Sequence, residues 1–335
     1  MTPEFYSIFN LVSTSPFITY SSAVVDDSRS ALAEIAKQCP EIFDVETGLH
    51  LVQYVWSIES AGNLIAIAAA LTDAQQTLPG HTIVPLASTE GELAFLKQTG
   101  FPAIMGNGSV FCDERIWQAA MPHASLFDAA YSGRLDPYKR HELAAGIESL
   151  LLIYDWSLSA STSDRLMHTK KLLPTAFFAN HEMNGGNYSL FTKEKICQLY
   201  GLSEVGLCLS AVEGWMRATM EYLLCGLPVV STKSLGGRDR YLKDEYCAIV
   251  GDDPGEVAHA VQRLKNRNFD REKIRAEVLE NLNLDRNQLL DDMDRLAIIH
   301  SIKNWRRPNF DDLLYSNSFE LERVVVKKIK EKAKG

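Results

Sequence analysis

No CxxC pair occurs in this chain, although it carries six cysteines: Cys39, Cys112, Cys197, Cys208, Cys225 and Cys247. Scattered singly through 335 residues, they exclude a disulfide-stapled scaffold and a zinc site of paired cysteines. They read instead as reduced thiols, mostly packed in the core of a cytosolic protein. A basic surplus is also missing: the formal net charge is −9, which argues against a general nucleic-acid binder. The opening stretch MTPEFYSIFN lacks a basic region followed by a long apolar run, so no secretory signal is expected there. The most apolar segment, LIAIAAAL at 64–71, is too short to span a bilayer. HExxH, P-loop and GxSxG patterns are absent, and so are internal repeats and low-complexity tracts.

What remains is an ordinary globular composition, 46 % apolar and 23 % charged, long enough for two domains. Strand and helix patterns alternate along most of it. FITYSS, LHLVQYVWSI and TIVPLAS read as three strands. Helices are expected in SRSALAEIAKQ, LIAIAAALTDAQQTL and TEGELAFLKQTG, the last capped by Thr89 or Ser88 and closed by Gly100. The alternation restarts near Pro122. LFDAAYS, LLIYDWS, TAFFANH, EVGLCLS, LPVVST and YCAIV read as strands. RHELAAGIESL, TSDRLMHTKKLL, KEKICQLYG and PGEVAHAVQRLKN read as helices, with Pro254 in the first turn of the last. Such alternation predicts a doubly wound parallel sheet of Rossmann type. Segments 1–121, 122–300 and 301–335 are the expected first domain, second domain and helical tail.

The stretch LSAVEGWMRATMEYLLCGLPVVST, residues 209–232, is apolar but holds two carboxylates, Glu213 and Glu221. Burying a carboxylate is costly unless it has a partner. Glu213 and Gly214 follow a predicted strand, where doubly wound sheets bind ligands. Gly214 lets a ligand approach the backbone. If a helix begins at Trp215, the amides of Trp215, Met216 and Arg217 form an anion site. Glu221 then returns to within about 80° of Glu213, about 12 Å along the axis, the span of a nucleotide diphosphate sugar. GRLDPYKRH supplies Arg134 and Lys139, cations suited to a diphosphate. STKSLGGRD supplies Gly236 and Gly237, which let a turn close over a ligand. A helix cap and a surface carboxylate would explain the two glutamates equally well without these neighbouring loops.

SGRLDPYK, GLCLSAVEGWMRATMEYLLCGLPVVST and SLGGRD together resemble the second domain of GT-B nucleotide-sugar glycosyltransferases, retaining family 4. That family carries two glutamates separated by seven residues, as Glu213 and Glu221 are. PAIMGNGS resembles its passage from first to second domain. The resemblance implies an α/β, GT-B-like fold with the nucleotide-sugar site on the C-terminal domain. It implies retaining sugar transfer from a UDP- or GDP-sugar to a glycan, lipid-linked or protein acceptor, with no metal and no further cofactor. Glu213 would contact the donor sugar and Glu221 the ribose. Arg134 and Lys139 would hold the diphosphate, with amides from Trp215, Met216 and Arg217 completing the site. Asn180 and His181 would lie near the nucleobase. The first half is short for the family. His50 and His81 are the candidates for the histidine that supports the reaction in its first domain.

Asp292-Met293-Asp294 spells the metal-binding DxD of other glycosyltransferases, but it sits inside a helical pattern and reads as a solvated face. The tail VVVKKIKEKAKG, at 324–335, has apolar residues beside lysines; its 324–334 portion could rest on the inner face of an anionic membrane. Two other functions fit the same residues: a sugar-nucleotide epimerase, and a non-catalytic module that binds a sugar nucleotide or a partner.

Overall fold

The computed structural model describes residues 9–23, 30–59, 61–119, 125–155 and 160–314. The basic tail at 324–334 and the restart near Pro122 lie outside the described residues. The chain divides into two compact units, one formed by 9–111 with 283–314, the other by Cys112–Leu282.

The first unit is a five-stranded sheet in chain order. Strands β1 (Phe9–Thr14) and β2 (Phe17–Ala23) are antiparallel. Strands β3 (Leu49–Tyr54), β4 (Thr82–Ala87) and β5 (Ile104–Met105) then add in parallel. Helices α1 (Ala31–Gln38), α2 (Ala61–Thr77) and α3 (Glu90–Lys97) make the crossovers. Every residue of β3 and β4 is buried, as strands covered on both faces must be. Ser30 caps α1 by accepting from Ala33 N, and Thr89 caps α3 by accepting from Glu92 N. Three strands were legible in the sequence and five are present. The two that escape are a half-buried edge strand without alternation, β1, and a two-residue strand, β5.

The second unit holds six parallel strands: β6 (Phe127–Ser132), β7 (Leu150–Ile153), β8 (Phe177–Phe178), β9 (Ser203–Cys208), β10 (Val229–Thr232) and β11 (Cys247–Val250). Their order is β11-β10-β9-β6-β7-β8. Helices α4 (Ala160–Leu172), α5 (Ala179–Glu182), α6 (Lys193–Tyr200), α7 (Arg217–Leu224) and α8 (Pro254–Lys265) connect or cover them. The long α9 (Arg271–Ile299) begins here, but from Asn283 it belongs to the first unit, as does the short α10 (Phe310–Leu314). From β6 the chain winds outward to β8, then returns and winds the other way from β9. The reversal leaves a crevice between the carboxyl ends of β6 and β9, the place where open α/β sheets bind ligands.

Two local expectations are corrected. The helix expected over 140–150 is absent; it is reduced to a 3-10 turn at His141–Ala144, preceded by another at Pro137–Lys139. Arg140 between them is left-handed, with φ 52°, and a left-handed residue stops a right-handed helix. The helix expected from Trp215 begins at Arg217, because Met216 is extended, with φ −116° and ψ 110°.

Candidate functional site

The crevice is built by the loops that leave β6, β9 and β10. Glu213 lies on the loop after β9, outside α7, so the two carboxylates do not share one helix. That loop zips to the loop after β10. Val212 and Leu235 form a parallel bridge, and Glu213 N donates to Leu235 O at 3.0 Å. Gly237 N donates to Gly214 O at 2.7 Å. Gly236 permits this by adopting φ 94°, a conformation that side-chain-bearing residues avoid. The bridge therefore fixes Glu213, Gly214, Gly236 and Gly237 as one unit.

Across the switch point, the loop after β6 delivers Lys139, whose ammonium pairs with the Glu213 carboxylate. Both residues are buried, 7 % and 6 % exposed, so each depends on the other for its charge to be tolerated. Lys139 is held by its own backbone as well, since its carbonyl accepts from the Tyr131 hydroxyl. Arg134, on the same loop, is exposed. The structure thus separates the two predicted cations: Lys139 is a buried ion-pair partner, and Arg134 stands in solvent.

Glu221 lies inside α7 and is 7 % exposed. It accepts from the Tyr200 hydroxyl at 3.2 Å. Burial pushes its carboxyl up to about 7, against the opposing pull of the Arg217 charge and the Tyr200 bond. Tyr200 packs edge-on against Tyr222, with ring centroids 4.7 Å apart. The Tyr222 hydroxyl accepts from Ser132 N at 2.6 Å, at the carboxyl end of β6. Glu221 is therefore tied through two tyrosines to the other wall of the crevice from Glu213. Trp215 and Met216 precede the helix rather than opening it. The exposed Arg217 lies with its guanidinium over the Trp215 ring at 5.6 Å. Trp215 Nε1, Ser210 Oγ and His141 Nε2 are buried without a hydrogen-bond partner. Buried polar atoms of this kind call for an explanation, and a polar ligand is one. His141 is held down to about 4 by burial and then by Lys139.

Asn180 and His181 fall on the short α5 turn, not at a strand end. The Asn180 side chain makes two hydrogen bonds within the protein. Its Oδ1 accepts from Tyr154 N and its Nδ2 donates to Ser189 O, both at 2.8 Å. Asn180 fastens the 183–189 loop to β7. His181 stacks on Tyr154, 5.8 Å between centroids and 13° between planes, and is hydrogen-bonded to its hydroxyl. With Tyr188 they form an aromatic cluster at the carboxyl end of β7.

Two arginines that the sequence does not single out hold the floor of the site. Arg238 has a fully buried side chain. It donates to Ser210 O, to Ser231 Oγ at 2.6 Å and to Thr232 O, and pairs with Asp239 at 2.7 Å. Arg140 donates to Leu209 O and Thr232 Oγ1, each at 2.6 Å, and pairs with Asp252 at 2.7 Å. Together they staple the carboxyl ends of β9 and β10. The only signal in the sequence is the pair of glycines before Arg238.

In the first unit, His50 and His81 do not reach the carboxyl edge of their sheet. His50 is the second residue of β3 and His81 precedes β4, both at the amino edge. They form a buried chain: Thr19 Oγ1 to His50 Nδ1 at 2.7 Å, His50 Nε2 to His81 Nδ1 at 2.8 Å, and His81 Nε2 to Val45 O at 3.1 Å. Burial lowers both imidazoles, His50 strongly. Neither fits the role of a histidine at a ligand site. Asp292 and Asp294 lie within α9, as read, but not on a solvated face. Asp292 is 8 % exposed and pairs with Arg295 at 2.8 Å. Asp294 accepts from Trp305 Nε1 and pairs with Arg307, both at 2.8 Å. Among the described residues, no helix is long and apolar enough to cross a membrane.

No protein-family model and no curated sequence matches the chain. Solved structures do. Sucrose-phosphate synthase from Thermosynechococcus elongatus is similar at 16 % identity and TM-score 0.55, over 83 % of this chain and 74 % of its own. A variant of S. aureus TarM, in complex with fondaparinux, alpha-GlcNAc-glycerol and UDP, is similar at 13 % identity and TM-score 0.52. That match covers 73 % of this chain, which spans 50 % of TarM. A glycosyltransferase from Rickettsia africae is similar at 15 % identity and TM-score 0.50, over 82 % of this chain and 81 % of its own. At these identities the likeness establishes the fold: α/β, with two Rossmann-like units, of the GT-B glycosyltransferase type.

Proposed function

We propose that the protein is a retaining glycosyltransferase that moves a sugar from a UDP- or GDP-sugar to a glycan, lipid-linked or protein acceptor. The observation that carries this reading is the buried Lys139–Glu213 pair set across the switch-point crevice, with Glu221 in the wall behind it. A charge pair costs free energy to bury, and a site that must meet a diphosphate and a sugar is a reason to keep one. The likeness to solved proteins named as synthases of sugar phosphates and as a glycosyltransferase supports it.

In this reading the donor sugar lies against Glu213 and the zipped backbone of Gly214, Gly236 and Gly237. Its diphosphate is met by Lys139, by Arg134 from solvent, and by the free amides at the start of α7, beside Met216 and Arg217. Diphosphate arrival offers Lys139 a second anion, and Glu213 is then released to accept sugar hydroxyls. The ribose falls to Glu221, and the base to the cluster of Tyr154, His181 and Tyr188. Departing charge is stabilised by groups already in place, so no strong nucleophile is required. Retention of the anomeric configuration rests on the resemblance to retaining family 4, with leaving and attack on one face of the sugar.

Calorimetric titration with UDP and GDP, followed by single-turnover assays of Glu213→Gln and Glu221→Gln, tests the proposal. Glu221→Gln should weaken donor binding and spare the saturated rate, as loss of uniform binding does. Glu213→Gln should slow the saturated rate itself. Absence of binding by either nucleotide refutes the assignment. Donor conversion without any acceptor points to epimerisation instead.

A further inference from the structure

We propose that Cys197 and Cys225 are a reversible oxidation site, converted to an intramolecular disulfide by a hydroperoxide. Cys197 lies on α6 and Cys225 directly follows α7, and their sulfurs are 3.4 Å apart. A disulfide needs about 2.05 Å, so the sulfurs must approach by little more than 1 Å.

The two thiols are unequal in the way such chemistry requires. Cys197 is half-buried and Cys225 is fully buried. A peroxide therefore meets Cys197 first. The Cys197 and Cys225 sulfurs share a hydrogen bond, and Gln118 N donates to the Cys197 sulfur at 3.5 Å. These bonds, with the nearby Arg275 charge, bring the Cys197 thiol down to about 6 against the cost of burial. Burial and its neighbour push Cys225 well up. The thiolate is the reactive species, so Cys197 is the attacking sulfur and Cys225 the protonated resolving one. Burial raises Cys208 to about 11 and Cys247 to about 12, which makes these two thiols inert.

The atoms balance without a further reagent. The Cys197 thiolate attacks one oxygen of the hydroperoxide; the O–O bond breaks, and the leaving oxide takes a proton. Cys197 is now a sulfenic acid. The Cys225 sulfur attacks it, the S–O bond breaks, and hydroxide leaves as water with the Cys225 proton. With hydrogen peroxide, one peroxide is reduced to two waters and two thiols are oxidised.

The bond would clamp α6 to the end of α7. Tyr200 is one turn from Cys197 and binds Glu221 at 3.2 Å; Cys225 N donates to Glu221 O at 3.0 Å.

The test treats reduced full-length protein with hydrogen peroxide, then titrates thiols in denaturant and maps the peptides. Two of the six thiols should disappear, return on adding dithiothreitol, and be joined as Cys197 to Cys225. Cys225→Ser should accumulate a dimedone-reactive sulfenic acid at Cys197, and Cys197→Ser should lose no thiols. Full retention of thiols in the unmutated protein overturns the proposal. So does a bridge from Cys225 to Cys112, or dimedone label on Cys225 in place of Cys197.

Discussion

Replacing Glu221 by glutamine should stabilise the second unit strongly at pH 8 and by less than about 1 kcal/mol at pH 5. The carboxyl titrates near 7 in the folded chain against an ordinary value of 4.5, and burial is the main cause. Between these values the unfolded chain releases the proton and the folded chain keeps it. The folded state binds more protons throughout that window, so stability falls as pH rises through it and levels off above pH 7. A shift of about 2.5 units at 1.36 kcal/mol each is roughly 3 kcal/mol. Glutamine has no proton to lose and keeps an oxygen for the Tyr200 hydroxyl, so it escapes the penalty. The assay is urea unfolding followed by tryptophan emission, which Trp117 and Trp215 supply, at pH 5, 6, 7 and 8. The quantity of interest is variant minus parent, in which every other titrating group cancels. A gain that grows with pH toward about 3 kcal/mol is expected. Equal differences at pH 5 and pH 8, or a loss at both, would refute the claim that the carboxyl is buried without enough compensation.

Arg238→Met should destabilise by about 3–5 kcal/mol, because it breaks a buried pair and leaves three acceptors unmet; the urea midpoint reports it. Gly206→Ala places a Cβ 2.5 Å from the Tyr222 ring, and overpacking of this kind costs about 1–3 kcal/mol, visible as a lower Tm. His141→Phe should remove acid sensitivity. The imidazole sits at about 4 when folded against 6.5 ordinarily, so the parent loses stability as pH falls from 6.5 toward 4 while the variant does not, a difference of roughly 3 kcal/mol. Arg134→Ala should weaken UDP binding by about 1.5–3 kcal/mol if it makes a charged hydrogen bond; unchanged affinity by calorimetry removes it from the site.

The second unit was legible because its parallel strands are short, apolar and bounded by loops of unmistakable composition. Periodicity failed where a tertiary bond overrides it. HELAAGIES has helical composition, yet Arg140 is turned left-handed by bonds to Leu209 and Thr232, residues far along the chain. Glu213 and Lys139 both read as site residues in the sequence, but 74 positions separate them, and no local pattern shows that they neutralise each other. Asn180 has the right chemistry and place for a ligand contact; only its partners reveal that its amide also holds a loop in place. Arg238 illustrates the converse: in sequence a buried staple and a solvated arginine are the same letter.

The bridge between Val212 and Leu235 separates what holds the site from what it displays. Position is set by backbone amides and carbonyls, which every residue type except proline possesses, while the two side chains at the bridge are 39 % and 64 % exposed. Residues at 212 and 235 can therefore be exchanged for larger, smaller or charged ones without moving Glu213 or Gly237. A lineage could retune what this rim meets, one substitution at a time, and leave the chemistry beneath it untouched.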